Sequence, residues 1–156
     1  MRHAPLLILL LSLVLVAACR LQPGYSSFQT VASDGWDRTE SIDFQIDTLR
    51  GHHAYQLTLH LACPAANPYR LQALTLEVEE QWNSQPAKTC TVECQMADDE
   101  GAPIRDGIST YRFAYPLHTV SLPDLSTGTV RVRHKMRSPI VEGVSLVGLE
   151  LKPVSR

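Results

Sequence analysis

Tyr55-Gln-Leu-Thr-Leu-His-Leu61 sets Tyr55, Leu57, Leu59 and Leu61 at every second position, with Gln56, Thr58 and His60 between them. Side chains two apart share one face of a strand, so this run predicts a β-strand buried on one side and wet on the other. A helix would scatter the same four apolar residues around its axis.

The same period recurs on both sides of this run. Ile42, Phe44 and Ile46 alternate with Asp43, Gln45 and Asp47. The expectation is that this strand and Tyr55–Leu61 are antiparallel neighbours, joined through Leu49-Arg50-Gly51-His52. Leu74, Leu76 and Val78 face inward against Thr75, Glu77 and Glu79; Cys90, Val92, Cys94 and Met96 oppose Thr91, Glu93 and Gln95. Asn83-Ser84-Gln85-Pro86 supplies the turn between those two strands. Ala97 to Gly107 is rich in breakers and is expected to be irregular. Strands resume at Tyr111 to Val120, at Val130, Val132, His134 and Met136, and at Val147, Leu149 and Leu151. No ten-residue stretch carries a helical period. The expected fold is all-β: an antiparallel β-sandwich of Greek-key or jelly-roll type with about seven to eight strands.

Met1-Arg2-His3 opens the chain with a short basic segment, and Leu6 to Val16 is apolar apart from Ser12. A helix of that length falls well short of the roughly 20 residues needed to cross a bilayer, so the segment reads as a cleaved signal peptide. Leu15-Val16-Ala17-Ala18-Cys19 has the form of a bacterial lipobox. Small residues admit the peptidase to the backbone, and the Cys19 thiol accepts lipid through a thioether. One acyl chain binds a membrane marginally, whereas two or three hold it firmly. The domain reading is therefore 1–18 signal peptide, 19–27 lipidated N-terminus and tether, and 28–156 a single sandwich domain. Pro23, Gly24 and Ser26-Ser27 suit the tether.

The formal charge of −2 gives no sign of a nucleic-acid partner. After Cys19 is acylated, Cys63, Cys90 and Cys94 remain. Cys90 and Cys94 are about 13 Å apart on one extended strand and cannot bridge each other. Either Cys63 pairs with one of them, or all three are buried thiols. His52, His53, His60 and His118 lack the local spacing of metal ligands, and no metal or cofactor is expected. His134 falls on the apolar side of its strand and is expected to be a hydrogen-bonded core histidine. Ser26, Ser109, Ser121 and Ser145 lie in no Gly-x-Ser-x-Gly. Asp98-Asp99-Glu100 with Asp106 lacks the order of a calcium loop and reads as a solvated turn. Arg131, Arg133, Lys135 and Arg137 occupy alternate positions and form a basic stripe. That stripe is either a solubilising outer face or guarded edge, or a contact for a partner protein, a glycan or lipid headgroups.

Several short segments appear in a co-linear order: Phe44-Gln-Ile-Asp47, then Tyr55-Gln-Leu-Thr-Leu59, Asn67-Pro-Tyr-Arg-Leu71 and Leu74-Thr-Leu-Glu-Val78. Met96-Ala-Asp-Asp-Glu-Gly101, His134-Lys-Met-Arg137, Gly143-Val144 and Val147-Gly-Leu149 follow. In this order, from the lipobox almost to the C-terminus, the chain resembles the gliding-motility-associated lipoproteins GldH of the Bacteroidetes. The cysteines at 63, 90 and 94 and the polar turn at 83–88 depart from the family pattern. The resemblance implies a non-enzymatic cell-envelope lipoprotein, a component or stabiliser of the gliding machinery that contacts other envelope or motility proteins. It assigns a role only to Cys19. Arg20-Leu21-Gln22-Pro23 lacks the acidic run that resembles a surface-export signal, which implies a periplasm-facing anchor. The alternative function is a glycan-binding module, which would need Trp36, Trp82, Tyr69 and Tyr111 exposed and coplanar.

Overall fold

The computed structural model describes residues 24–51, 53–66, 71–104 and 108–154. Ten strands occur in these segments, and no helix: β1 (Tyr25–Thr30), β2 (Trp36–Asp37), β3 (Ile42–Leu49), β4 (His53–Pro64), β5 (Ala73–Trp82), β6 (Lys88–Gln95), β7 (Thr110–Leu122), β8 (Ser126–His134), β9 (Ile140–Val141) and β10 (Leu146–Pro153). Eight of them build two four-stranded antiparallel sheets, ordered β1-β10-β4-β7 and β3-β8-β5-β6. Every connection between successive sandwich strands crosses from one sheet to the other except the β5–β6 hairpin. That winding is a jelly roll, so the expected all-β sandwich is the fold observed. The short β2–β9 ribbon forms a third sheet.

The core lies between the inner faces, and the period-two reading selects it correctly. Phe44, Tyr55, Leu57, Leu59, Leu74, Leu76, Val78, Val130, Val132, Val147 and Leu149 have no exposed surface. Each buried Leu or Val of this kind contributes about 1.5–3 kcal/mol by leaving water.

The structure corrects two expectations. β3 and β4 are not paired: β3 lies against β8, β4 lies between β10 and β7, and the two face each other across the core. Alternation marks the buried face of a strand but not its neighbour, and Arg50-Gly51-His52 is short enough for either an arch or a hairpin. The tether predicted to reach Ser27 ends earlier, because Tyr25-Ser26-Ser27 is already paired with Leu149 to Leu151 as strand β1. The expected β5–β6 hairpin is present, and Asn83 takes a left-handed conformation (φ 52°) at its turn. In β7 the inward alternation changes phase between Leu117 and Val120. Opposite, Gln56 pairs with Thr119 but Thr58 with Pro116, a bulge that places an extra residue in β7. Pro116 is tolerated because β7 is an edge strand.

Gly24 marks one end of the sandwich. The β1–β10–β4–β7 register brings Pro153, His53 and Leu122 to the same end. In the other sheet Leu49 pairs with Ser126 and Trp82 with Gly128 there. The opposite, far end carries the β2–β9 ribbon and the loop after Met96.

Candidate functional site

Cys19 and Tyr69 lie outside the described residues, as do His52 and Asp106. The basic stripe is on the outer face of the β3-β8-β5-β6 sheet, and only its first half belongs to a strand. Arg131 and Arg133 sit on β8, whereas Lys135 and Arg137 follow it. β8 is an inner strand, so the guarded-edge reading of the stripe is corrected. Arg131 is held from both sides: its Nε lies 3.1 Å from Asp43 Oδ1 on β3, and its Nη1 lies 2.9 Å from Glu79 Oε1 on β5. The hydrogen bond and charge of Asp43 raise the guanidinium pKa further. Burial opposes ionisation of Asp43, but its hydrogen bonds to Arg131 and Ser41 hold it below the ordinary carboxylate range. Lys135 Nζ lies 2.7 Å from Glu77 Oε2. Among the described residues no ion pair joins Arg133 or Arg137 to a carboxylate. The middle of the face is thus neutralised by its neighbours, and the positive charge left over lies toward the far end.

The three remaining cysteines are free thiols. Burial pushes Cys63 and Cys94 up to about 12, and raises Cys90 too, with help from the Glu80 charge. They are protonated at neutral pH, which removes the nucleophilic form. Among the described residues no group of three His, Cys, Asp or Glu is placed to hold a metal ion. Asp98 caps its own turn, its carboxylate accepting the N–H groups of Glu100 and Ala102 at 3.0 and 2.8 Å. His60 Nε2 lies 3.2 Å from Glu150 Oε2 on the outer face of the other sheet.

His134 is fully buried, as its position on the strand implied, but neither ring nitrogen has a hydrogen-bond partner. The expected hydrogen-bonded histidine is therefore corrected. Its ring meets Trp36 edge-on, with centroids 5.6 Å apart. Burial depresses its pKa. The backbone of Trp36 and of Pro139 opposes that depression, at a geometry short of a hydrogen bond.

The glycan-binding alternative fails on its aromatic residues. Trp36 is 1% exposed and Trp82 8%, so neither offers a face to a sugar. Trp36 donates its Nε1–H to the Glu40 carbonyl beneath the β2–β9 ribbon. Trp82 packs over Gly128, where an added Cβ would meet its ring at 2.3 Å.

One polar group escaped the sequence reading. Glu80 continues the inward series Leu74, Leu76 and Val78 and is 5% exposed. Its Oε2 accepts the Trp82 Nε1–H at 3.1 Å, and His118 Nε2 stands 3.1 Å from Oε1. The pair lines a cleft of about 500 Å³ between edge strands β6 and β7, with Lys88 and Cys90 on its wall. Period two alone was enough to find Glu80, since it falls two places after Val78. With both oxygens engaged, the carboxylate is tied to the cleft wall.

Exposed large apolar side chains lie mostly at the two ends, Ile104, Ile108 and Ile140 at the far end and Leu125 and Val154 at the near end; the exception is Phe28, 52% exposed on the outer side of β1.

A family model described as GldH lipoprotein matches residues 24–151. No curated protein matches the chain. Among solved structures, the Eiger TNF from S. frugiperda is similar at 10% identity and a TM-score of 0.31, over 86% of this chain and 96% of that one. A chain of Desmodium yellow mottle tymovirus is similar at 13% identity and a TM-score of 0.28, over 85% and 88%. Scores this low carry no argument; the jelly-roll topology rests on the strand pairing.

Proposed function

This chain belongs to the GldH lipoprotein family, a family of gliding-motility lipoproteins, and we propose that it is a non-enzymatic component or stabiliser of that machinery. In this reading it is anchored by acyl chains on Cys19, faces the periplasm and works through protein contacts. The observation that carries the reading is the extent of the family match, which takes in every sandwich strand from β1 to Leu151 of β10. One feature of the chemistry supports binding over catalysis: the Cys63 and Cys94 thiols are held protonated by burial.

The contact surface we propose is the far end of β8 and the segment that follows it, where Arg133, Lys135 and Arg137 lead along the chain to the exposed Ile140. Charge beside an apolar side chain is the composition of a protein interface. Lipid headgroups fit this surface poorly. β8 spans about 26 Å from Ser126 to His134, which sets these cations at the end opposite Gly24, the point where the tether joins.

Crosslinking in native membranes, followed by affinity purification of the lipoprotein, tests the reading. Wild type is expected to bring down other envelope proteins, and an Arg133→Glu/Arg137→Glu variant a tenth as much or less. Recovery of the wild-type protein alone would remove the proposed role, and undiminished recovery with the variant would move the contact elsewhere.

A further inference from the structure

The near end of the sandwich shows three features that fit together. The first is distance. Cys19 and Gly24 are five residues apart, which spans at most about 18 Å when fully extended. The headgroup layer beyond the acyl chains takes up roughly 5–8 Å of that reach. A relaxed five-residue chain spans only about 12–13 Å, which sets the end bearing Gly24 on the order of 4–8 Å from the headgroups, and no more than about 13 Å at full extension.

The second feature is what that end exposes. Leu125 is 60% exposed and Val154 44% exposed. They belong to one surface: Val154 N–H donates to the Ala54 carbonyl, and Asp124, next to Leu125, accepts the Gly51 N–H. Counting strand and sheet spacings, Leu125 stands on the order of 10–15 Å from Gly24 across this end.

The third feature is strain. Leu125 takes φ 59°, a left-handed conformation that glycine or asparagine adopts far more readily. A large apolar side chain is thereby held at a backbone position that disfavours it, with most of its surface left in solvent. Such an outlier points to a use outside the domain.

We infer that the near end rests on the lipid surface, with the Leu125 side chain in the headgroup layer and Val154 beside it. The inference depends on acylation of Cys19, as proposed above. It also fixes the orientation of the molecule, turning the far end of β8 away from the membrane.

The test uses the full acylated protein on phosphatidylcholine vesicles whose acyl chains carry bromine near the headgroups. Because Trp36 and Trp82 are buried, the emission added by a Leu125→Trp variant reports on position 125. That added emission is expected to fall by at least a third on brominated vesicles. An Ile108→Trp variant, whose site is fully exposed at the far end, is expected to be unaffected. A Val154→Trp variant repeats the measurement at the near end should position 125 fail to accept the indole. Vesicle flotation separates the two claims. Protein that floats with no quenching at 125 or 154, or with equal quenching at 108, overturns the docked end and leaves the anchor standing. Wild-type protein that fails to float overturns the anchor, and the docked end with it.

Discussion

Two of the polar side chains buried in the core, His134 at the far end and Glu80 at the near end, are handled in opposite ways. At the far end His134 has no hydrogen-bond partner and is sealed beneath Trp36 and the β2–β9 ribbon. At the near end Glu80 has both oxygens engaged and borders an open cleft. A neutral imidazole can survive in a closed apolar pocket at the cost of its unmet hydrogen bonds. A carboxylate requires partners, and that requirement keeps His118 at the edge of β7 and the cleft beside it. The far end is therefore vulnerable to protonation, and the near end to loss of a partner.

The largest effect expected from this contrast is on the lid over His134. Trp36→Ala should cost about 3–5 kcal/mol in urea unfolding, the range for truncating a buried aromatic. It should also let water reach the ring and erase any pH dependence that comes from it. A loss under 1 kcal/mol would mean that the ribbon does not seal the core. Next in size is Glu80→Ala, which leaves the Trp82 indole N–H buried without an acceptor and should cost about 1–3 kcal/mol. Glu80→Gln keeps an oxygen for that N–H and should lose less. Equal losses for the two variants would show that the Trp82 hydrogen bond does not matter.

The pH response sharpens the comparison from the other side. Burial depresses the His134 pKa below its ordinary value near 6.5, against the smaller pull of the Trp36 backbone and the Asp37 charge, while Arg38 adds to the depression. Above 6.5 the ring is neutral in both folded and unfolded chains. As pH falls below 6.5 the unfolded chain takes up the proton first, so stability is lost from there down to the depressed folded-state value. Urea midpoints should fall between pH 7.5 and 5.5 in wild type and fall less in His134→Leu. The leucine variant should match or exceed wild type at pH 7.5, because it removes two unsatisfied nitrogens. An unchanged slope would assign the pH response to another group.

The elements were more legible in the sequence than their assembly. Period two located the buried faces of six strands and the β5–β6 turn, because burial on one face is a local property; for β7 it gave the strand alone, whose alternation the bulge interrupts. It could not pair β3 with β8, since an alternating strand is equally suited to a neighbour in its sheet or a strand across the core. β1 was hidden by composition: Tyr25, Ser27 and Gln29 face inward only half-buried, so no apolar series marks them. β2 and β9, at two residues each, are too short to show a period. The same limit governed the candidate site. The alternation of Arg131 and Arg133 was visible, but their flanking carboxylates come from β3 and β5, and only the topology brings Asp43 and Glu79 to either side of Arg131.

That charge network is the smallest contribution, and it tests whether the comparison of the two ends captures what governs stability. Arg131 is about one-third exposed, and so are its two partners. Water therefore screens the pairs, and the whole network should contribute no more than about 1 kcal/mol. Arg131→Ala should lose about that much at low ionic strength and well under half as much in 1 M salt, where the screening length falls to about 3 Å. Arg133→Ala, which breaks no ion pair among the described residues, should stay within about 0.5 kcal/mol. A salt-insensitive loss of 2 kcal/mol or more at Arg131 would place as much free energy on the outer face as at either end of the core. β8 would then be held from outside by Asp43 and Glu79 as firmly as it is held from within by Val130 and Val132, and the contrast between His134 and Glu80 would be secondary.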